Sequence, residues 1–299
     1  MPVKPRALNN TGIKIEDFSE NIFELGKIDG SQVAFPILRV PPLVSINLDI
    51  LEKYGRSTAE ITSPVDLLKL GFELEKAAGK DSSFIGSRYY GALFHGALYG
   101  VEFKHIGSDI KFDENNFSRF LEETKPYIKR QHFIPHNESG IDKFTSGKYC
   151  IYPHFSTDLL NISSVGIKLA NLKLPLLKDA FVCEGIFMAA VDPETRNSEE
   201  AELLLEFFLS EEAQKTFIEK LPYCLSVRND VLSMQKISNS PALNSCYMDF
   251  DLRSFYTQMD LVIFNDYAKK LNTETGKYFL GIQELKTTID KLKSFEGAN

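Results

Sequence analysis

The sequence predicts an α/β fold, on three observations. Apolar runs of strand length alternate with amphipathic helical stripes along almost the whole chain. Turn formers, such as Asp29-Gly30 and Gly147-Lys148, bound the runs. Neither an internal repeat nor a low-complexity tract interrupts the alternation.

The opening 25 residues are mixed, with a short apolar pattern at Ile13, Ile15, Phe18 and Ile22 that fits one short helix. After the Asp29-Gly30 turn, Val33, Ala34, Phe35, Ile37 and Leu38 read as a buried strand. Pro41-Pro42 then breaks the run, because proline donates no ladder hydrogen bond and restricts the residue before it. The extended pattern resumes from Leu43 to Ile46, and Asp49 to Tyr54 reads as a helical turn or two stopped by Gly55. The residues alone allow two accounts of the Pro-Pro step: a crossing between two lobes, or a loop between strands of one sheet.

Ser63-Pro64 opens a helix well, since serine accepts orphan amides and proline suits the first helical position. Leu67, Leu70 and Leu74 give it one apolar face, widened by Val65, Leu68 and Phe72. Residues 84–99 predict a buried helix, and residues 116–130 an amphipathic one built on Phe117, Phe120 and Leu121. GKYCIYPHF at 147–155 predicts a turn and strand, and FVCEGIFMAAV at 181–191 a strongly apolar strand. Asn197 and Glu200 resemble a capping box ahead of a stripe of Ala201, Leu204, Leu205 and Phe208. Ser210 opens the next helix, through Ala213, Phe217 and Leu221. Residues 257–268 and 279–293 predict two last helices, the final one facing inward with Ile282, Leu285, Ile289 and Leu292.

The chain has 299 residues, 43% of them hydrophobic and 25% charged, enough for one large or two ordinary domains. A formal net charge of −7, with both signs interspersed, argues against nucleic acid, which needs clustered Lys and Arg. No run of about 18 apolar residues occurs, so no transmembrane helix is expected. The opening MPVKPRALNN has no apolar core, so no signal peptide is expected in this chain. Cys150, Cys183, Cys224 and Cys246 are far apart and lack metal or redox spacing, which favours buried free thiols.

No catalytic motif stands out. GxGxxG after a strand, GxxxxGK[ST] and GxSxG are all absent. His132 and His136 have helical metal spacing, but Pro135 intervenes and no HExxH forms. Cys150 and His154 share a strand face, where a packed thiol beside a polar histidine outweighs a nucleophilic pair. Asp109 and Asp113 fit a solvated loop better than a carboxylate pair. The expectation is a protein that is not an enzyme and needs no metal or other cofactor.

The order of motifs resembles that of bacterial extracellular solute-binding proteins of the sugar-binding type, the receptors of ABC importers. DGSQVAFPILRVPPLVSINLDILEKYG is similar to the family's DGK-x-YALP…L-x-YN-x-DL-x-EK-x-G stretch. ITSPVDLLKLGFELEK follows as its P-x-TWDEL helix does, with Val65 in place of tryptophan. FTSGKYCIY resembles F-x-x-GK-x-AM, and FVCEGIFMAAV through SEEAQ resembles GG-x-x-x-AI…SEEAQ. LPYCLSVRNDVL and TGKYFLGIQELKTTIDKL complete the series, so the likeness covers about residues 20–295.

The resemblance implies a periplasmic-binding-protein-like fold of two α/β lobes (type II), with ligand in the cleft between them. Crossings are expected at 38–43, 182–187 and 235–250. Lobe one would comprise 1–40 and 184–235, and lobe two 43–182 and 250–299. The strand–helix–strand–helix–strand unit that relatives carry ahead of the DG…P region has no counterpart here. Lobe one is therefore expected to be incomplete, to expose an apolar face and to favour self-association.

Carried over position by position, the resemblance implies a sugar site with stacking aromatics and hydrogen-bonding groups. Tyr89 and Tyr90, then His154, Phe155 and Ser156, then Phe255 and Tyr256, occupy cleft-facing positions in relatives, while Arg39 and Glu184 lie at the crossings. The chain has no Trp, which disfavours a long oligosaccharide. Adjacent tyrosines also suit ferric iron, but further oxygen ligands are missing. The implied partners are a small solute, chiefly sugar, and ABC permease subunits. The implied location is the extracellular face of the membrane or the periplasm, often with a lipid anchor. Two other readings stay open: a non-transport interaction or sensory module, and a hydrolase using Cys150 with His154.

Overall fold

The computed structural model describes residues 14–18, 22–28, 31–79, 96–106, 109–128, 140–172, 177, 182–192, 194–238, 252–254 and 261–294. The Pro-Pro step organises the whole of it. Strand β3 (Phe35–Val40) ends just before Pro41 and β4 (Pro42–Asn47) begins just after it, so Pro41 alone separates the two. The two strands belong to different sheets. Here β1 is Lys27–Ile28 and β2 Ser31–Gln32, a short hairpin of their own.

In the first sheet β3 is central. It pairs antiparallel with β9 (Val182–Ala189) on one side and with β10 (Leu225–Ser226) on the other, and β9 continues parallel to β11 (Leu252–Ser254). In the second sheet β4 is central, between β7 (Ile151–Phe155) and β8 (Leu169–Asn171), both antiparallel. All six residues of β3 and all six of β4 are buried, as befits strands flanked on both edges. Pro42 is tolerated because it is the first residue of its strand.

Around the first sheet pack helices α6 (Ser198–Phe208), α7 (Glu211–Lys220) and α8 (Asn229–Ser238). Their core joins Phe18, Phe23, Phe35, Leu38 and Val40 to Leu205, Leu209 and Val227. Gln214 of α7 ties this core together. Its amide donates to the Ile37 carbonyl (2.8 Å) and the Phe208 carbonyl (2.9 Å), while its oxygen accepts from Ser226 Oγ (2.7 Å) and the Val227 amide (3.2 Å). A fully buried primary amide is thereby satisfied on every side, which gives the SEEAQ motif a physical role.

Against the second sheet pack α1 (Leu48–Lys53) and α2 (Pro64–Ala78), in a core with Val44, Ile46, Leu51, Leu67, Leu70, Leu74 and Ile151. Asn47 starts α1 by accepting the Ile50 amide (3.2 Å), and Gly55, at φ 65°, turns the chain away after it. Ser63 and Asp66 form a reciprocal capping box on α2 with Pro64 inside it. A neighbouring core joins α3 (Glu114–Thr124) to the C-terminal helices, through Phe117, Phe120 and Leu121 against Tyr267, Leu271, Ile289 and Leu292. The helices α4 (Gly140–Thr145) and α5 (Leu159–Ser163) and the hairpin of β5 (Lys104–Ile106) and β6 (Asp109–Lys111) complete this part.

Several local expectations need correction. The last two helices are α9 (Leu261–Phe279) and α10 (Leu285–Lys293). The buried stripe Tyr267, Leu271, Thr275 and Tyr278 carries α9 straight through Gly276, so packing outweighs the low propensity of that residue. Ile282 falls in the following turn and is 72% exposed. Asn197 makes no side-chain cap on α6. Leu204, assigned to the inward stripe, points outward. The 84–99 helix is described only from residue 96, as helix over 96–98. The Asp29-Gly30 turn and most of the 235–250 crossing lie outside the described residues. No helix among the described residues is long and apolar enough to cross a membrane.

Candidate functional site

The two sheets meet at the Pro-Pro step, and the end of β7 in the second sheet, with the residue that follows it, brings His154, Phe155 and Ser156 there. His154 turns into its own sheet. Its Nε2 lies 2.8 Å from Ser45 Oγ on β4, which in turn lies 2.6 Å from Asn171 Oδ1 on β8. Its Nδ1 donates to the Phe155 carbonyl (2.6 Å), because a carbonyl can only accept. The ring stacks on Tyr152 at 5.0 Å, and Tyr152 stacks on Phe144 at 5.4 Å. His154 is thus 3% exposed and built into the sheet.

Phe155 turns the other way, as the period of a strand requires. Its half-buried ring packs against the core of the first sheet. A Cβ placed on Gly185 of β9 would lie 3.2 Å from the Phe155 ring, so the glycine lets strand and ring approach. Ser156 then fastens the junction twice. Its amide donates to the Pro41 carbonyl (2.8 Å), and its hydroxyl donates to the Tyr223 carbonyl, just ahead of β10. Leu43, Leu159 and Leu225, with Tyr223 and Leu232 against them, form a small apolar cluster spanning both sheets.

Arg39 lies on β3 opposite Ile186 of β9 and Leu225 of β10, and is 8% exposed. Glu184 stands in β9 opposite Ser254 of β11, and only its backbone is described. Tyr89, Tyr90, Phe255 and Tyr256 lie outside the described residues, as do His132 and His136. The structure therefore gathers Arg39, His154, Phe155 and Ser156 around one junction, with Glu184 on the return strand beside Gly185.

Sequence reasoning missed Ser45, Asn171 and Tyr223. Ser45 offered a signal, as the lone hydroxyl in the apolar run PPLVSI. Tyr223 acts through its carbonyl, which no side-chain pattern reveals.

The thiol–imidazole pair is not formed. His154 lies four positions after Cys150, about 13 Å along an extended chain. The Cys150 thiol contacts the Asn47 carbonyl (3.6 Å), and burial pushes its pKa up to about 12. A thiol kept protonated is a poor nucleophile. Asp109 and Asp113 are not a pair either: Asp113 caps α3 by accepting the Asn116 amide (2.9 Å), and Asp109 is exposed on β6. Among the described residues no group of three or more His, Cys, Asp or Glu is placed to hold a metal ion.

A family model covers the residues of both β3 and β4 and of the strands beside them. The model for "bacterial extracellular solute-binding protein" matches residues 6–245. The chain belongs to this family. The solute-binding protein also resembles solved structures across nearly its whole length. One is an ABC transporter solute-binding protein from Thermotoga lettingae bound with α-D-tagatose, with a TM-score of 0.74, 13% identity, and coverage of 93% of this chain and 75% of that one. Another is the GacH receptor of Streptomyces glaucescens, solved unliganded and with acarbose, with a TM-score of 0.71, 15% identity, and coverage of 97% and 77%. A third is maltose-bound MalE3 of T. maritima, with a TM-score of 0.66, 15% identity, and coverage of 93% and 75%. At such identities the likeness shows the fold alone, and that fold is the two-lobed one of periplasmic binding proteins. A search of curated protein sequences returns no match. Family membership places the solute-binding protein among extracellular, ligand-carrying proteins rather than among known enzymes.

Proposed function

We propose that this solute-binding protein is the receptor of an ABC importer. It takes up a carbohydrate or similar small polar solute in a cleft between lobes and hands it to membrane permease subunits. One observation carries the reading: β3 and β4, consecutive in the chain, enter different sheets at Pro41-Pro42, so the polypeptide crosses from one body to another at that point. The lobes are taken as 1–40 with 184–235 and 43–182 with 250–299, with β11 (Leu252–Ser254), which pairs with β9 in the first sheet, as the last crossing strand at the head of the final segment. The packing of the C-terminal helices against Phe117 and Phe120 supports the second grouping.

In this reading Arg39, Phe155 and Glu184 form the floor of the cleft, while His154 and Ser156 hold that floor in shape. Tyr89, Tyr90, Phe255 and Tyr256 supply stacking faces. The sugars named for the tagatose, maltose and acarbose complexes support a carbohydrate as the first class to try. Binding shifts an equilibrium between open and closed lobes, and no covalent step is asked of the protein.

Thermal denaturation with a panel of mono- and oligosaccharides, sugar acids and polyamines tests the reading. A native-state ligand raises the midpoint in proportion to the logarithm of its concentration above Kd. Stabilisation by one sugar class, lost in Tyr89→Ala or Phe155→Ala, is expected. Stabilisation by none of the panel sinks the carbohydrate assignment.

A further inference from the structure

Helix α6 reads SEEAELLLEFF and carries two faces of opposite use. Leu205 is buried, Ala201 and Phe208 pack inward, and the Phe208 ring meets Phe217 of α7 at 5.7 Å. Leu203, Leu204 and Phe207 point outward and are 64%, 51% and 50% exposed. Leu203 and Phe207 are four residues apart, and Leu204 is offset by one, so the three form one stripe over adjacent turns. Single exposed apolar residues need no explanation, but a stripe of three large ones on one helix does.

Within α6 the charges beside the stripe are all acidic, while Arg196 stands exposed just before the helix. Glu199 and Glu200 lie one turn before Leu203 and Leu204, Glu206 lies beside Phe207, and Glu202 completes a set of four glutamates. The helix holds no Lys, Arg or His. Among the described residues no ion pair engages Glu199, Glu200 or Glu202. Two further acidic residues, Glu211 and Glu212, open the next helix, and of these Glu211 pairs with Lys215.

We infer that the outer face of α6 is a docking surface for a partner polypeptide presenting an apolar helix face flanked by Lys or Arg. The stripe supplies apolar area and the glutamates supply register and sign. A second copy of this chain fits poorly, since its own α6 would set glutamates against glutamates. An anionic lipid surface is disfavoured for the same reason. A small molecule is disfavoured because the face is a helix exterior and not a concavity. This inference is independent of the solute the cleft binds.

The test uses the full chain and two synthetic helical peptides with the same Leu/Phe face, one flanked by lysines and one by glutamates. Fluorescence anisotropy is expected to show binding of the lysine peptide only, weakening as salt rises. Leu203→Ser with Phe207→Ser is expected to weaken it about tenfold or more, and Glu199→Lys with Glu200→Lys likewise. All four positions are solvent-facing, so an unchanged thermal midpoint verifies folding. Equal binding of the glutamate peptide, or binding of neither, overturns the inference. So does a concentration-dependent dimer in sedimentation that the Leu203/Phe207 variant abolishes, which would make a second copy the occupant. Cosedimentation with vesicles of phosphatidylcholine and phosphatidylglycerol would point to lipid and overturn it as well.

Discussion

The ring of Phe155, carried by the second sheet, lies against the bare Cα of Gly185 in the first. A Cβ there would come within 3.2 Å of one ring carbon and 3.3 Å of the next. Gly185→Ala is therefore expected to cost about 1–3 kcal/mol, the range for overfilling a packed contact. In a Phe155→Ala background the cost should fall by more than about 0.5 kcal/mol, since the two sites touch. Urea denaturation of the four proteins measures this, and equal costs in both backgrounds would show that the contact is not the cause.

Gln214→Leu removes four hydrogen bonds at once, taking the acceptor from the Ser226 hydroxyl and the Val227 amide and a donor from each of the Ile37 and Phe208 carbonyls, while Ser226 keeps the bond it accepts from the Arg228 amide. A loss of about 3 kcal/mol or more is expected, because each buried orphan costs roughly 1–3 kcal/mol. Gln214→Glu, which keeps both acceptor bonds, should lose the two donated ones yet retain order at Ser226. Amide exchange of Val227 distinguishes the two variants.

Asp66 couples stability to pH. Burial raises its pKa, but hydrogen bonds from Ser63 and Thr62 outweigh this and hold the carboxyl below its usual range. A lowered folded-state pKa stabilises the protein above the unfolded value, and that gain vanishes as pH falls through the folded value. Asp66→Asn should thus melt lower than the parent at neutral pH by about 1 kcal/mol of capping energy. The gap should close below about pH 4, near the ordinary pKa of Asp. A constant gap down to pH 2.5 would remove the carboxylate from the account.

Burial pushes the thiol of Cys224 up to about 11, as it does Cys150 to about 12. Both should resist iodoacetamide at pH 8 in the folded protein and react once urea unfolds it. Peptide mapping by mass spectrometry reads each cysteine separately. Fast labelling of Cys150 in the native state would reopen the nucleophile reading.

The strand break at Pro41-Pro42 was legible because proline's missing amide acts locally, whatever packs around it, but the residues alone left open which sheets the two strands enter. The helices over Pro64–Ala78 and Glu114–Thr124 were legible because their apolar periodicity matches the buried faces. Leu204 was misread for a physical reason: a repeat of three and four cannot tell which of two apolar faces a helix turns inward. The expected helix over 257–268 was too short because Leu271 and Tyr278, together with Tyr267, commit a longer stretch to burial. At the junction, residue type pointed to Phe155 and Ser156, but the Tyr223 carbonyl and the Gly185 contact depend on tertiary approach.

The bond from the Ser156 amide to the Pro41 carbonyl pins the two bodies where the backbone passes between them. If one swings, it swings about that pin, so displacement grows with distance from it. Fluorophores attached far from it, one on each body, would travel furthest and make the most sensitive gauge of closure.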